Sequence, residues 1–106
     1  MLAQARTQAA SGNAAGAGAT LERALHIEPT NPWLWHRLAV LRLQQRMWDQ
    51  AVSMAQKSIS LAAGNTRLLG GNWAVIAQAR TGKGDAGGAA AAQRESDRYF
   101  QAAPLP

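Results

Sequence analysis

The chain has 106 residues, 47% of them apolar but only 6% aromatic, so one domain is expected, with helices packed closely over small side chains. It has no cysteine, which excludes disulfide and thiolate-metal frameworks, and no run approaches the roughly 20 apolar residues of a membrane span. The formal charge of +5 comes from basic residues scattered between Arg6 and Arg98, with only Arg37, Arg42 and Arg46 spaced to share a helix flank, and that scatter weighs against a nucleic-acid footprint.

Leu2, Ala5 and Ala9 recur at helical spacing over residues 2–11, and Ser11, Gly12 and Asn13 supply the turn that ends this helix. A start inside a helical pattern, with no charged-then-apolar leader, is expected of a domain cut from a longer protein. A second helix is predicted from about 14 to 27, its first half weakened by Gly16 and Gly18 at roughly 1 kcal/mol each relative to alanine. Pro29 to Pro32 stops it and starts the next, with Asn31 as N-cap and Pro32 in the first helical position. The third helix, 32 to about 45, carries Trp35, Leu38, Ala39 and Leu41 to Leu43 on successive turns. Trp48 to Ala63 is its partner, offering Ala51, Met54, Ala55, Ile59 and Leu61 for burial, with Gly64 and Asn65 as its stop. Residues 65–71 either lengthen a loop or add a turn to the fifth helix. The last pair spans 72–81 and 85–101, where Gly87 and Gly88 interrupt the start of the final helix and Gln93, Arg94, Glu95, Asp97 and Arg98 make its outer face polar; Pro104 to Pro106 is a frayed tail.

A repeat underlies this order. Trp35, Leu38, Ala39, a turn at Arg46 and then Ala51 recur 38 residues later as Trp73, Ile76, Ala77, a turn at Gly84 and then Ala89. A first unit, 34 residues ahead of the second, lacks the tryptophan but keeps Ala5, Gly12, Ala17, Leu21, Ala24 and Pro29 at equivalent offsets. A period of 34 followed by 38 resembles the tetratricopeptide repeat (TPR) family with four residues inserted before the third unit. The resemblance implies an all-α fold of three helix-turn-helix repeats, at about 1–31, 32–65 and 66–103, stacked as a short right-handed solenoid in one domain over 1–103. Three residues depart from the family pattern and bear on how tightly the second pair closes: Arg46 stands where glycine is favoured, Ala55 where a large aromatic is, and Ser58 where alanine is.

In that family the first helix of each pair lines a groove. Carried onto the middle unit by its match at Trp35, the groove positions are Trp33, His36, Val40, Leu43 and Gln44, with Arg37 and Arg42 added on the neighbouring basic flank; the same transfer gives Leu2 and Arg6 in the first unit and Ala74 and Gln78 in the third. Trp35, Leu38, Ala39, Ala51, Trp73, Ile76, Ala77 and Ala89 are expected to be structural, with Trp35 at a buried position. Trp33 and Trp35 lie about 200° apart around a helix, so they cannot share a stripe and Trp33 should face away from the core. Beside Val40, Leu43 and His36 it would form an apolar patch with polar edges, the kind of surface that takes up a partner segment. The alternative is that Trp33 packs on the inter-repeat loop or the amino-terminal helix. Leu2, Arg6 and Trp33 stand where the carboxylate-clamp subtype uses Lys and Asn, which disfavours chaperone-tail binding.

Nothing in the chain has the pattern of an active site. The glycine-rich stretch Gly82 to Gly87 matches a dinucleotide fingerprint literally, but that use needs a preceding strand, and here a helix precedes it; a helix-to-helix turn with Asp85 as N-cap is expected instead. His26 and His36, without cysteine or clustered carboxylates, make a poor metal site. The six acidic residues suit helix starts and polar faces, and no activated nucleophile is signalled. No enzyme, cofactor or metal is expected.

The segments Leu21 to Pro29, Leu34 to Ala39 and Asn72 to Ala77 are similar to TPR domains of bacterial envelope lipoproteins, in particular the Pseudomonas-type outer-membrane lipoproteins that activate a class A penicillin-binding protein. This resemblance implies a protein partner, regulation of peptidoglycan synthesis, and a periplasmic domain tethered to the outer membrane by a lipid anchor outside these residues. Two alternatives stand beside it: a scaffold with another protein partner, cytoplasmic or periplasmic, and a basic surface for nucleic acid.

Overall fold

The computed structural model describes residues 14–103, and the predicted helix over 2–11 with its turn, the groove positions Leu2 and Arg6, and the tail after 103 lie outside them. The described residues form five helices: α1 (Ala14–Ile27), α2 (Pro32–Gln44), α3 (Trp48–Leu61), α4 (Thr66–Gly82) and α5 (Ala86–Ala102). Each packs against the next, and α2 also meets α4, whereas α3 and α5 do not meet to a comparable extent. The array therefore curves around the side on which α2 and α4 lie together.

Local chemistry sets the boundaries. Asn31 caps α2 by accepting the Trp33 N–H at 3.0 Å, and Pro32 occupies the first turn, where its missing N–H leaves nothing unpaired. The four inserted residues are helical. Helix α4 has 17 residues against 13 in α2, and with Trp73 matched to Trp35 the surplus is its first turn. Asn65, expected to end α3, instead starts α4, its side chain accepting the Leu68 N–H at 3.1 Å. Helix α3 stops earlier, at Leu61, and the chain reverses through Ala63 and Gly64, at φ 51° and 82°.

Gly87 and Gly88 do not interrupt α5, contrary to the sequence expectation. They lie in its first turn, where Asp85 accepts the Gly88 N–H at 2.9 Å and the cap supplies the order that glycine lacks. Arg46 takes φ 59°, the left-handed conformation for which the family favours glycine.

Among the described residues the interior divides into two clusters. Between α1 and α2 lie Ala17, Leu21, Ala24, Leu25, Leu34, Leu38 and Leu41, with Trp35 and Met54 packed against them. Across α2 to α5 lie Ala39, Ala51, Ala55, Val75, Ile76, Ala77, Ala79 and Ala92, edged by Val40, Leu43, Trp48, Val52, Ile59 and Trp73, with Met54 touching both clusters. The alanine cluster depends on close approach. Ala55 is fully buried with no large side chain in its place, and the Trp48 ring lies so near Gly82 that a Cβ there would stand 2.6 Å from it.

Two buried serines tie the helix pairs. Ser58 on α3 donates to the Pro32 carbonyl at the start of α2 at 2.7 Å, and Ser96 on α5 donates to the Gly70 carbonyl of α4 at 2.9 Å. Both bonds span 26 residues, and each serine holds the same place in its repeat. The departure from alanine at Ser58 thus adds a tie to the second pair.

Candidate partner-binding site

The curved side is built from one stripe of α2. Positions 33, 36, 37, 40 and 44 recur at helical spacing and face the same way, and α4 lies beside them. Trp33 is 44% exposed, too open for a core role and with much of its indole free to cover a ligand. His36, Arg37 and Val40 are half-buried and Gln44 is exposed. Val40 and Leu43 pack against the alanine cluster, so they form the floor of the face rather than its rim. On α4, Ala74 is half-buried and Gln78 exposed.

Arg42 does not belong with them. It lies about half a helical turn from Trp33, on the side facing α1, where it pairs with Glu22 at 3.1 Å and donates to Gln45 at 2.8 Å. Its guanidinium lies 3.4 Å from where a Gly18 Cβ would be, so that glycine leaves it room. Charge spacing alone groups Arg37, Arg42 and Arg46 on one flank, and the helical angle separates its members.

Trp35 is half-buried instead of fully buried. The indole N–H needs an acceptor, and the ring sits where it reaches the Pro29 carbonyl at 2.8 Å while packing on the leucine cluster. The Lys57 ammonium lies 6.0 Å from the ring centroid. Leu38, Ala39, Ala51, Ile76 and Ala77 are buried, whereas Trp73 and Ala89 are half-buried.

A polar relay runs from His36 into the interior through Asn72, a residue that the sequence pattern does not single out. His36 Nδ1 meets Asn72 Oδ1 at 2.7 Å, Asn72 Nδ2 meets Ser58 Oγ at 2.7 Å, and Ser58 ends on the Pro32 carbonyl. Asn72 is fully buried at the position that corresponds to Leu34 in the preceding repeat. An amide where the register demands a leucine must find partners, and that mismatch was the available signal. Burial lowers the His36 pKa below its ordinary value; the Asn72 bond opposes the shift and the Arg37 charge adds to it.

Among the described residues no group of His, Cys, Asp and Glu could hold a metal, and no helix is long and apolar enough to cross a membrane. Gly82 to Gly87 is a helix-to-helix turn, with Gly84 at φ 83° and Asp85 capping α5.

Helices packed in sequence, an inner side made by the first helix of successive pairs, and one open aromatic on that side define an all-α repeat protein. The tetratricopeptide repeat family model matches residues 8–70, more than half of the chain, and the protein belongs to that family. The chain is also similar to the globular C-terminal domain of P. aeruginosa LpoP, whose solved structure shares 42% sequence identity at a TM-score of 0.88, with 91% of each chain covered. No curated protein matches it.

Proposed function

We propose that this protein is a protein-interaction module whose α2/α4 face binds and activates a class A penicillin-binding protein, and that it works in the periplasm on a lipid tether outside these residues. The observation that carries the binding face is Trp33, a large aromatic left 44% exposed on the inner side of a repeat array, above a floor of Val40 and Leu43. The choice of partner is supported by the similarity to the LpoP domain. A three-unit array divided near residues 31 and 65 is part of the same proposal.

Mechanistically, the domain contributes binding energy to one conformation of the synthase and shifts its population towards that state. Trp33, His36 and Gln44 are the accessible contacts, with Arg37 beside them. Purified domain added to the cognate synthase should raise glycan polymerisation and cross-linking, and Trp33→Ala should remove most of that rise while leaving the melting temperature within a few degrees. Stimulation that is absent with the folded wild-type domain overturns the proposal. Stimulation unchanged by Trp33→Ala moves the contact to another face.

A further inference from the structure

The relay beneath the inner face fixes which end of each group donates. Pro32 contributes a carbonyl oxygen, which only accepts, so the Ser58 hydroxyl hydrogen is committed to it at 2.7 Å. The Ser58 oxygen must then accept from Asn72, which sets the amide nitrogen towards Ser58, at 2.7 Å, and leaves the amide oxygen facing His36. That oxygen lies 2.7 Å from Nδ1, a contact that requires the hydrogen on Nδ1. Reversing the amide would put two acceptors against each other at Ser58. A neutral His36 is therefore the Nδ1–H tautomer, and its Nε2 carries a lone pair.

Two adjacent α4 residues lie against the ring. Asn72 fixes one edge, and a Cβ at Gly71 would stand 3.3 Å from Cε1, so the α4 backbone lies close along the ring. Nε2 has no hydrogen-bond partner among the described residues, and His36 is only half-buried, so part of the ring is open to a partner. At the ring α3 and α4 place the neutral Ser58 and Asn72, and the charge that acts on it is that of Arg37 on its own helix. A positive neighbour disfavours a Lys or Arg side chain as the donor to Nε2, and the lone pair disfavours a carboxylate.

We propose that His36 Nε2 is a fixed hydrogen-bond acceptor on the α2/α4 face, taking an uncharged N–H or O–H donor from the protein partner, an apolar side chain of which covers Trp33. Ser58 and Asn72 are positioning residues: they reach the partner only through the tautomer they impose. This rests on the α2/α4 face being the binding face.

Two measurements test it, the first without any variant. In the 15N-labelled domain above neutral pH, ring nitrogen shifts should show His36 Nδ1 protonated and Nε2 bare; a proton on Nε2 overturns the proposal. Affinity for the purified class A penicillin-binding protein is then compared for wild type, Trp33→Ala and His36→Asn. Asparagine keeps an N–H where Nδ1–H stood and has nothing at Nε2. The expected result is about tenfold weaker binding for His36→Asn, the equivalent of one hydrogen bond, with melting close to wild type. Weakening by Trp33→Ala without weakening by His36→Asn overturns the acceptor role and leaves the binding face standing. No binding by wild type overturns both.

Discussion

The two halves of the interior solve the same packing problem with different chemistry. Between α1 and α2 the protein buries leucines, five of them in one cluster, and the helices are held by apolar area removed from water. Across α2 to α5 alanines dominate, and little area per side chain is available. There the helices come close enough for Ser58, Asn72 and Ser96 to bond across them and for the Trp48 ring to crowd Gly82. Burial tolerates small shifts, whereas close approach and buried hydrogen bonds do not. The alanine half is thus the more exacting scaffold, and it is the half that positions His36.

The largest test of the contrast removes a leucine. Leu38 is 2% exposed at the centre of the first cluster, and Leu38→Ala should lower unfolding free energy by about 2–5 kcal/mol, measured by urea denaturation. A loss below about 1 kcal/mol would mean that the leucine cluster collapses around the gap and is not the apolar anchor of the fold.

A pair of glycines sharpens the same contrast at a smaller scale. A Cβ at Gly82 would stand 2.6 to 2.8 Å from three atoms of the Trp48 ring, so Gly82→Ala should cost about 1–3 kcal/mol as the indole is pushed aside. Gly18, buried within α1 on the leucine side, meets first the flexible tip of Arg42 at 3.4 Å. There Gly18→Ala should be neutral or gain up to about 1 kcal/mol from helix propensity. Equal melting shifts of the same sign at both sites would abolish the distinction between the two halves.

The leucine half was also the more legible in the sequence. Its helix limits, the Asn31 cap and the Pro32 start follow from side chains whose preferences act locally. The angle between Trp33 and Trp35 separated the open face from the packed one for the same reason. Arg42 departs from its expected place because helical angle, and not charge spacing, decides which side of α2 it takes. In the alanine half the inserted residues were ambiguous until Asn65 was seen to cap α4 and not to close α3. Asn72 escapes the sequence pattern because an asparagine within a helical pattern looks like surface, and Ser58, a departure from alanine, carries no sign of its partners. Only the register, Asn72 opposite Leu34 and Ser58 repeated as Ser96, marks them as interior.

Arg46 gives a smaller effect at the turn that joins α2 to α3, where it holds φ 59°. Arg46→Gly relieves the left-handed strain of a residue with a Cβ, of about 1 kcal/mol, and returns part of that by loosening the unfolded chain. The expected net gain is roughly 0.5 kcal/mol, visible as a small rise in melting temperature. A fall would show that the arginine side chain contributes more to the turn than its backbone costs.

The smallest effect reads the alanine half through pH. Burial, opposed by the Asn72 bond and reinforced by Arg37, holds the folded His36 pKa below the 6.5 of an ordinary histidine. The unfolded chain therefore binds the proton more readily than the folded one. Stability from the neutral ring is complete above that value and declines as pH falls from it towards the folded pKa, below which the decline ends. Melting curves taken from about pH 8 to pH 5 should accordingly fall more steeply for wild type than for His36→Asn, with the gap opening below about pH 6.5. Parallel curves would mean that the ring is solvated in the folded protein, and the close approach of α2 and α4 around it would lose its energetic signature.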